Sequence, residues 1–441
     1  MLWLWAWHSA VRTFNGNDGK VMTISRRIFV KNSALALVSF GMDPLFLPRA
    51  VFSPYRHVPS LTAPYRPILV CLFQRGAVDG LNMIVPHGEA AYYQERPRIA
   101  VSQNTVIDLD GHFGLHPSLA PLKQLWDNKS LAPIHAIGSP DGTRSHFDAQ
   151  DYMETGTPGV KSTGDGWANR YCQHDREHAE TPFRAVAFGP QLPRILAGTA
   201  PSLAIDDLQA FGLRVPQEAA RDRLTRAFEE LYDGAGTGLL ASSSREGFEA
   251  VQMLKRADPT QYRPTDGAEY PPGRLGRTLL QIAQLIKADV GLEIAFADCS
   301  GWDTHVNQGA SEGQLAARLR ELGLALAAFD RDLGDRMSNV VVLTMSEFGR
   351  TIRENGNSGT DHGHATAMLA LGGPVNGGRV LGRWPGLSVD QRFEGRDVAV
   401  TTDFRDLFGE ILVRHLGATE LASVFPGYEP SQTRFVGAIR G

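Results

Sequence analysis

Short apolar runs recur along the chain, and each gives way abruptly to polar or glycine-rich sequence: Ile68–Phe73, Leu131–Ile137, Arg184–Phe188, Leu292–Ala297, Val340–Met345 and Thr366–Leu371. The run Val340–Met345 (VVVLTM) is β-branched and holds no turn residue, the pattern of a strand buried on both faces. Between the runs, apolar positions take helical spacing. Leu275, Leu279, Ile282 and Ile286 fall on one helix face, as do Leu315, Leu319, Leu322, Leu326, Phe329 and Leu333. Ser311 with Gln314 predicts a capping box at the start of the second helix, and Gly334 its stop. Further helices are predicted over Pro117–Asp127, with proline at the first position, and over Asp403–His415. Strands alternating with helices predict an α/β fold with a mostly parallel central sheet and helices on both faces.

Two segments break this rhythm. From Asp206 to Pro272, charged helical stretches (Glu218–Tyr232, Arg245–Arg256) alternate with Gly/Ser- and Pro-rich joints, which predicts a helical insertion at about 206–272. Near the start, Ser25-Arg26-Arg27-Ile28-Phe29-Val30-Lys31 precedes the moderately apolar stretch 33–47. That order of basic and apolar regions is the pattern of a twin-arginine export signal. It implies the twin-arginine translocase as a partner during export and a periplasmic or extracellular destination. Met22 stands at the usual distance ahead of an arginine pair, so residues 1–21 are expected to be an upstream extension, 22–55 the signal segment and 64–441 the α/β domain. Cleavage is expected between about Leu47 and Ser60.

The formal net charge of −4 excludes a nucleic-acid partner held by bulk electrostatics. No apolar run after residue 60 reaches the roughly 20 residues that span a bilayer. Cys71, Cys172 and Cys299 lie far apart, without the spacing of a disulfide framework or a thiolate zinc site.

Candidate chemistry gathers just after the apolar runs, where open α/β sheets bind ligands. After the first comes Gln74-Arg75-Gly76-Ala77-Val78-Asp79-Gly80, with Asp79 in a glycine-flanked turn where backbone can approach an ion. An ordinary Asp-Gly turn is the simpler reading of Asp79 alone. After the second comes Thr143-Arg144-Ser145-His146-Phe147-Asp148. Ser145 opens a predicted helix, either as a cap alone or as a nucleophile in the positive potential there, with Arg144 beside it and His146 as ligand or proton carrier. The fourth run leads into Trp302-Asp303-Thr304-His305, and two residues two apart on extended chain project to one side. The fifth leads into Ser346-Glu347-Phe348-Gly349-Arg350 and ends in Asp361-His362-Gly363-His364. Carboxylates and imidazoles without thiolate suit Zn, Mn or Fe better than Mg or Ca. Asp79, Asp303, His305, Glu347, Asp361, His362 and His364 are therefore the expected metal set, some acting only as partners of the ligating imidazoles.

The RGAVDGLN, TRSHFD, GWDTH, SEFGR and DHGH motifs behind a twin-arginine leader resemble, in that order, a widespread bacterial family of unknown function, domain-of-unknown-function family 1501. That family resembles a branch of the alkaline phosphatase and sulfatase superfamily. The resemblance implies an α/β sandwich with metal ligands at strand ends: Asp79 after the first strand, Ser145 as nucleophile at a helix start, Asp303 with His305, Glu347, and His362 or His364. The chain departs from the superfamily where Glu347-Phe348 replaces Asp-His, which removes one imidazole. Cys71 and Arg75 keep the outer spacing of the sulfatase nucleophile motif, but Phe73 replaces its proline, which excludes formylglycine chemistry.

The expected function is a metal-dependent hydrolase of phosphate or sulfate esters that uses Zn or Mn. Ser145, Arg144 and His146 would be catalytic, and Arg75 and Arg350 would clamp a small anionic ester or glycan. The alternative is a non-catalytic exported protein that keeps the fold and binds a surface partner. An exported oxidoreductase finds no dinucleotide, haem or cluster motif to support it.

Overall fold

The computed structural model describes residues 66–174, 181–208, 262–265 and 267–441. The expected signal segment and 209–261, the bulk of the expected insertion, lie outside them. The description concerns the unit formed by Leu47–Gln209 and Phe248–Gly441.

Eight strands form one sheet in the order β11-β5-β10-β9-β1-β8-β6-β7. They are β1 (Ile68–Arg75), β5 (Leu131–Gly138), β6 (Ala185–Phe188), β7 (Leu203–Ile205), β8 (Ile294–Ser300), β9 (Val340–Met345), β10 (Thr366–Leu371) and β11 (Thr402–Asp403). β1 lies parallel between β8 and β9, with Cys71 beside Phe296 and Leu343. Every pairing is parallel except those of β10, which runs antiparallel to both β5 and β9. The expectation of a mostly parallel sheet holds, and the direction of Thr366–Leu371 is the exception within it. Short strands β2 (Ile84–Val85), β3 (Ile107–Asp108) and β4 (Gly114–Leu115) form a separate small sheet.

Burial on both faces follows from the unbroken apolar runs. Leu69, Cys71, Phe73, Leu343 and Met345 pack with Phe404, Phe408 and Ile411 of the Phe404–Arg414 helix and with Trp167 and Tyr171 of the Trp167–His174 helix. The alternate residues Val70, Leu72 and Val342 are equally buried. The Arg274–Lys287 helix buries Leu275, Leu279, Ile282 and Ile286, and packs against β8 and the Gln314–Leu333 helix. Among the described residues no helix is long and apolar enough to cross a membrane.

Local details differ from the sequence pattern for identifiable reasons. Pro121 splits the stretch 117–127 into a 3-10 turn, Pro117–Leu122, and a short helix, Lys123–Asp127, because proline offers no amide to the ladder. Ser311 does not cap the Gln314–Leu333 helix: its N-cap is Gly313, and the Ser311 hydroxyl lies 3.0 Å from Thr105 instead.

His135, on β5, is buried, and burial pushes its pKa down to about 4. Its ring is fully used as neutral imidazole: Nε2–H donates to the Ile84 carbonyl and Nδ1 accepts from the Ala136 amide. The unfolded chain therefore takes up this proton first. The contribution of His135 is complete above about pH 6.5 and is lost as pH falls toward about 4, a change of about 3 kcal/mol. Denaturant unfolding at a series of pH values should show a His135→Gln variant losing less stability over that interval than wild type; parallel profiles would contradict this.

The sheet positions the site. The ends of β1, β5, β8 and β9 and the start of antiparallel β10 lie on one edge. The loops 76–79, 139–145, 301–308 and 346–365 therefore leave the sheet together. Gly76, at φ +116°, lets two of them touch: a Cβ there would stand 2.6 Å from the Asp303 amide nitrogen.

Candidate metal centre

Three imidazoles meet on that edge, each brought by a different segment. His146 opens the His146–Thr155 helix after β5, His305 follows β8, and His362 lies in the loop between β9 and β10. Each has its Nδ1 held by an acceptor. His146 Nδ1 lies 2.8 Å from Glu347 Oε1, His362 Nδ1 2.9 Å from the Arg144 carbonyl, and His305 Nδ1 3.2 Å from Asp361 Oδ1. Those acceptors put the ring protons on Nδ1 and leave the three Nε2 atoms as lone pairs.

The Nε2 atoms converge on Asp303. Its Oδ1 is 3.0 Å from His305 Nε2 and 3.4 Å from His362 Nε2, and its Oδ2 is 3.6 Å from His146 Nε2. His305 Nε2 and His362 Nε2 face one another at 2.9 Å. His146 Nε2 is buried with no hydrogen-bond partner. Lone pairs directed at one another and at a carboxylate repel unless a cation lies among them, either a proton on one ring or a metal ion. Three imidazoles and a carboxylate, each imidazole backed by an acceptor on its far nitrogen, are groups that could hold a metal ion, with the outer partners that such ligands take. One ligand atom each from His146, Asp303 and His362 lies within 4.8 Å of the others.

The surroundings fix this arrangement. Glu347 is fully buried, and its Oε1 accepts from the Gly76 amide and the Gln150 side chain, both at 2.8 Å, as well as from His146. Burial alone would raise its pKa; His146, Gln150 and the Gly76 amide outweigh burial and hold it below the ordinary carboxylate range. The bond to Glu347, in turn, raises His146 above the ordinary imidazole value, whereas burial lowers His362. Arg350 is wholly enclosed and donates to the carbonyls of Gly76, Ala77, Trp302 and Thr360 and to Asp303 Oδ1. One guanidinium thus ties three loops together and aims the central carboxylate. Burial works to raise the Asp303 pKa, but the bond and charge of Arg350 bring it below the ordinary value. The Phe348 ring packs 5.0 Å from both His146 and His362. Asp303 and His305 remain partly open, at 45% and 39% side-chain exposure, so solvent reaches the cluster from their side.

Of the residues expected from sequence, the structure brings together His146, Asp303, His305, Glu347, Asp361 and His362, with Glu347 and Asp361 behind imidazoles rather than facing the shared centre. Asp79 is not joined to them. It is buried against Arg96 at 2.6 Å, and Gln308 donates to the same Oδ2. His364 is also apart, with Nε2 3.1 Å from the Ser139 carbonyl and its ring 4.1 Å from Phe393. The Ser145 hydroxyl caps its helix, accepting from the Asp148 amide at 3.5 Å. Neither of the expected anion-binding arginines, Arg75 and Arg350, has a free guanidinium, nor has Arg144, expected to be catalytic. Arg75 pairs with Glu154 and Asp298, Arg144 with Glu394 and Asp397, and Arg350 with Asp303. Sequence reading missed Gln150, although it lies one turn after His146 on the same helix face, a spacing open to inspection.

The sequence model of a family described as "Protein of unknown function (DUF1501)" matches residues 134–425, well over half of the chain. The chain belongs to this family. The matched part of this DUF1501 protein contains all three imidazoles, Asp303, Glu347 and Asp361, whereas Arg75 and Asp79 precede it. No curated protein matches the sequence. Among solved structures, the chain is similar to the zinc complex of the C-terminal periplasmic domain of EcEptC from Escherichia coli, at 10% identity over 71% of this chain and 75% of that one, with a TM-score of 0.34. It is also similar to the PsFucS1 sulfatase from Pseudoalteromonas sp., at 14% identity over 85% and 72%, with a TM-score of 0.39. A third is the phosphonate monoester hydrolase of Agrobacterium radiobacter, at 12% identity over 82% and 78%, with a TM-score of 0.33.

Glu347 touches His146 on the nitrogen that faces away from the centre, so its effect on a metal is exerted through the imidazole. Glu347→Gln should weaken zinc binding by about 10–100-fold while leaving it measurable by competition with a chromophoric chelator. Unchanged affinity would contradict the role given to Glu347.

Proposed function

We propose that this protein is an exported, metal-dependent hydrolase of phosphate or sulfate esters. The observation that carries the reading is the meeting of three Nε2 lone pairs on one carboxylate, with His305 and His362 face to face at 2.9 Å. His146, His305, His362 and Asp303 would hold one divalent ion, zinc by the preference of imidazole-rich sets, with manganese second. Such an ion, when bound, supplies a Lewis acid for the ester oxygens and lowers the pKa of an attacking water.

The chain's own residues do the rest. Glu347, Asp361 and the Arg144 carbonyl keep each imidazole proton on Nδ1, and Arg350 holds the carboxylate at one angle. In hydrolysis, water adds to phosphorus or sulfur, the bond to the ester oxygen breaks, and the departing alcohol takes a proton. Ser145 is the candidate for a covalent nucleophile, at the head of the helix that carries His146, and its cap bond must open for it to attack. Export by the twin-arginine translocase to the periplasm or beyond rests on the motif at residues 25–31.

The chain, loaded with zinc or manganese, should turn over aryl phosphates or aryl sulfates, and Asp303→Asn should lower the rate to background. Turnover that survives Ser145→Ala assigns the attack to water. The reading of a binding protein without catalysis has one observation in its favour, the capped Ser145 hydroxyl. A metal-loaded chain that hydrolyses none of these esters would establish that reading instead.

A further inference from the structure

The described arginines around the centre are all paired with carboxylates, and the balance of charge bears on the substrate. At its heart stand the carboxylates of Asp303, Glu347 and Asp361 and one guanidinium, Arg350, which bonds Asp303, while Glu347 and Asp361 bond His146 and His305. Two negative charges remain, which one divalent ion cancels. On the β5 side, Arg144 and Arg396 are balanced by Glu394 and Asp397, with Arg144 at 2.6 and 2.7 Å from its acids and Arg396 at 2.9 Å from Asp397. The same two arginines reach the centre only through His362, whose Nδ1 meets the Arg144 carbonyl and whose own carbonyl accepts from Arg396. On the β1 side, Arg75 lies between two acids, Glu154 at 2.8 Å and Asp298 at 2.5 Å, and touches Gln150, which donates to Glu347. That group carries one negative charge in excess. Among the described residues, every arginine bonded to a residue of the site is thus committed to a carboxylate, and even with one divalent ion bound these residues hold no surplus of positive charge.

Building on the hydrolase reading, we propose that the substrate carries one negative charge at the reacting group: a phosphodiester or a sulfate monoester rather than a phosphate monoester. A phosphate monoester is largely a dianion above its second pKa of about 6. Its second charge would find no unpaired cation among the described residues, and the site's carboxylates would repel it. A monoanion brings half that charge and meets correspondingly less repulsion from the carboxylates.

The test compares three probes at about pH 8 with the full chain loaded with zinc: bis(para-nitrophenyl) phosphate, para-nitrophenyl sulfate and para-nitrophenyl phosphate. kcat/KM on the diester or the sulfate should exceed that on the monoester by at least tenfold. The charge variants Glu394→Gln and Asp298→Asn, at side chains with 57% and 35% exposure, each remove one negative charge without touching an imidazole. Each should narrow the gap by raising monoester turnover a few-fold relative to diester. A wild-type preference for the monoester, or a ratio that neither variant moves, would overturn the inference while leaving the hydrolase reading intact. Absence of turnover on all three probes would remove the hydrolase reading and this inference with it.

Discussion

His362→Ala should remove divalent-metal binding and hydrolysis together, without destabilising the metal-free protein. The two halves of this result have one cause. His362 Nε2 stands 2.9 Å from His305 Nε2 and 3.4 Å from Asp303 Oδ1, close contacts that repel without a cation. Deleting the ring relieves that repulsion in the apoprotein and deletes a ligand in the holoprotein. The affinity loss should exceed the 10–100-fold typical of an outer-shell partner. Thermal or denaturant unfolding with and without zinc separates the two halves. Wild type should gain about 2.7 kcal/mol at an ion concentration one hundred times its Kd, and the variant should gain nothing there. Equal metal stabilisation of both proteins would remove His362 from the centre.

The second large effect lies beneath the site. Arg96 and Asp79 form an ion pair at 2.6 Å with 0% and 1% side-chain exposure. The guanidinium also donates to Asn82 Oδ1 and to the carbonyls of Thr351 and Ile352. Asp79 Oδ1 has no hydrogen-bond partner. Arg96→Met therefore leaves a buried carboxylate without its cation and the Thr351 and Ile352 carbonyls without a donor, while Asn82 Oδ1 keeps the Tyr92 hydroxyl, at a cost of about 3–5 kcal/mol. Adding Asp79→Asn should recover part of that loss, because the uncompensated charge is then gone. The same variant examines the expectation that Asp79 ligates metal: freed from Arg96, such a ligand would bind the ion more tightly. The structure predicts no gain in metal affinity.

Much of the framework was legible in the residues. Apolar runs without turn residues marked β1, β8 and β9, an apolar run holding Pro133 marked β5, and the polar stretches behind them marked the edge where chemistry gathers. The direction of β10 was not legible, because Thr366–Leu371 reads alike in either sense; what reverses it is the loop 346–365 returning to the edge it left. Within the site, Asp303, His305 and His362 followed from GWDTH and DHGH. His362 and His364, two apart, looked equivalent, yet the Arg144 carbonyl takes one ring and Ser139 the other. Arginine roles depended on acids far away in sequence: Asp298 for Arg75 and Asp397 for Arg144. Local pattern holds no record of such pairings, and a guanidinium near a site reads as an anion clamp until its carboxylate is found. Asp79 illustrates the same limit, since Arg96 lies in a stretch with no motif.

The central claim is that the cation shared by the three imidazoles is a metal ion rather than a proton. Elemental analysis of protein folded in its own host, exported and purified without chelator, tests it most directly. The account predicts one zinc or manganese ion per chain in wild type and none in His146→Ala or His362→Ala. Wild-type protein carrying no stoichiometric metal, with a cluster that titrates a proton instead, would contradict it.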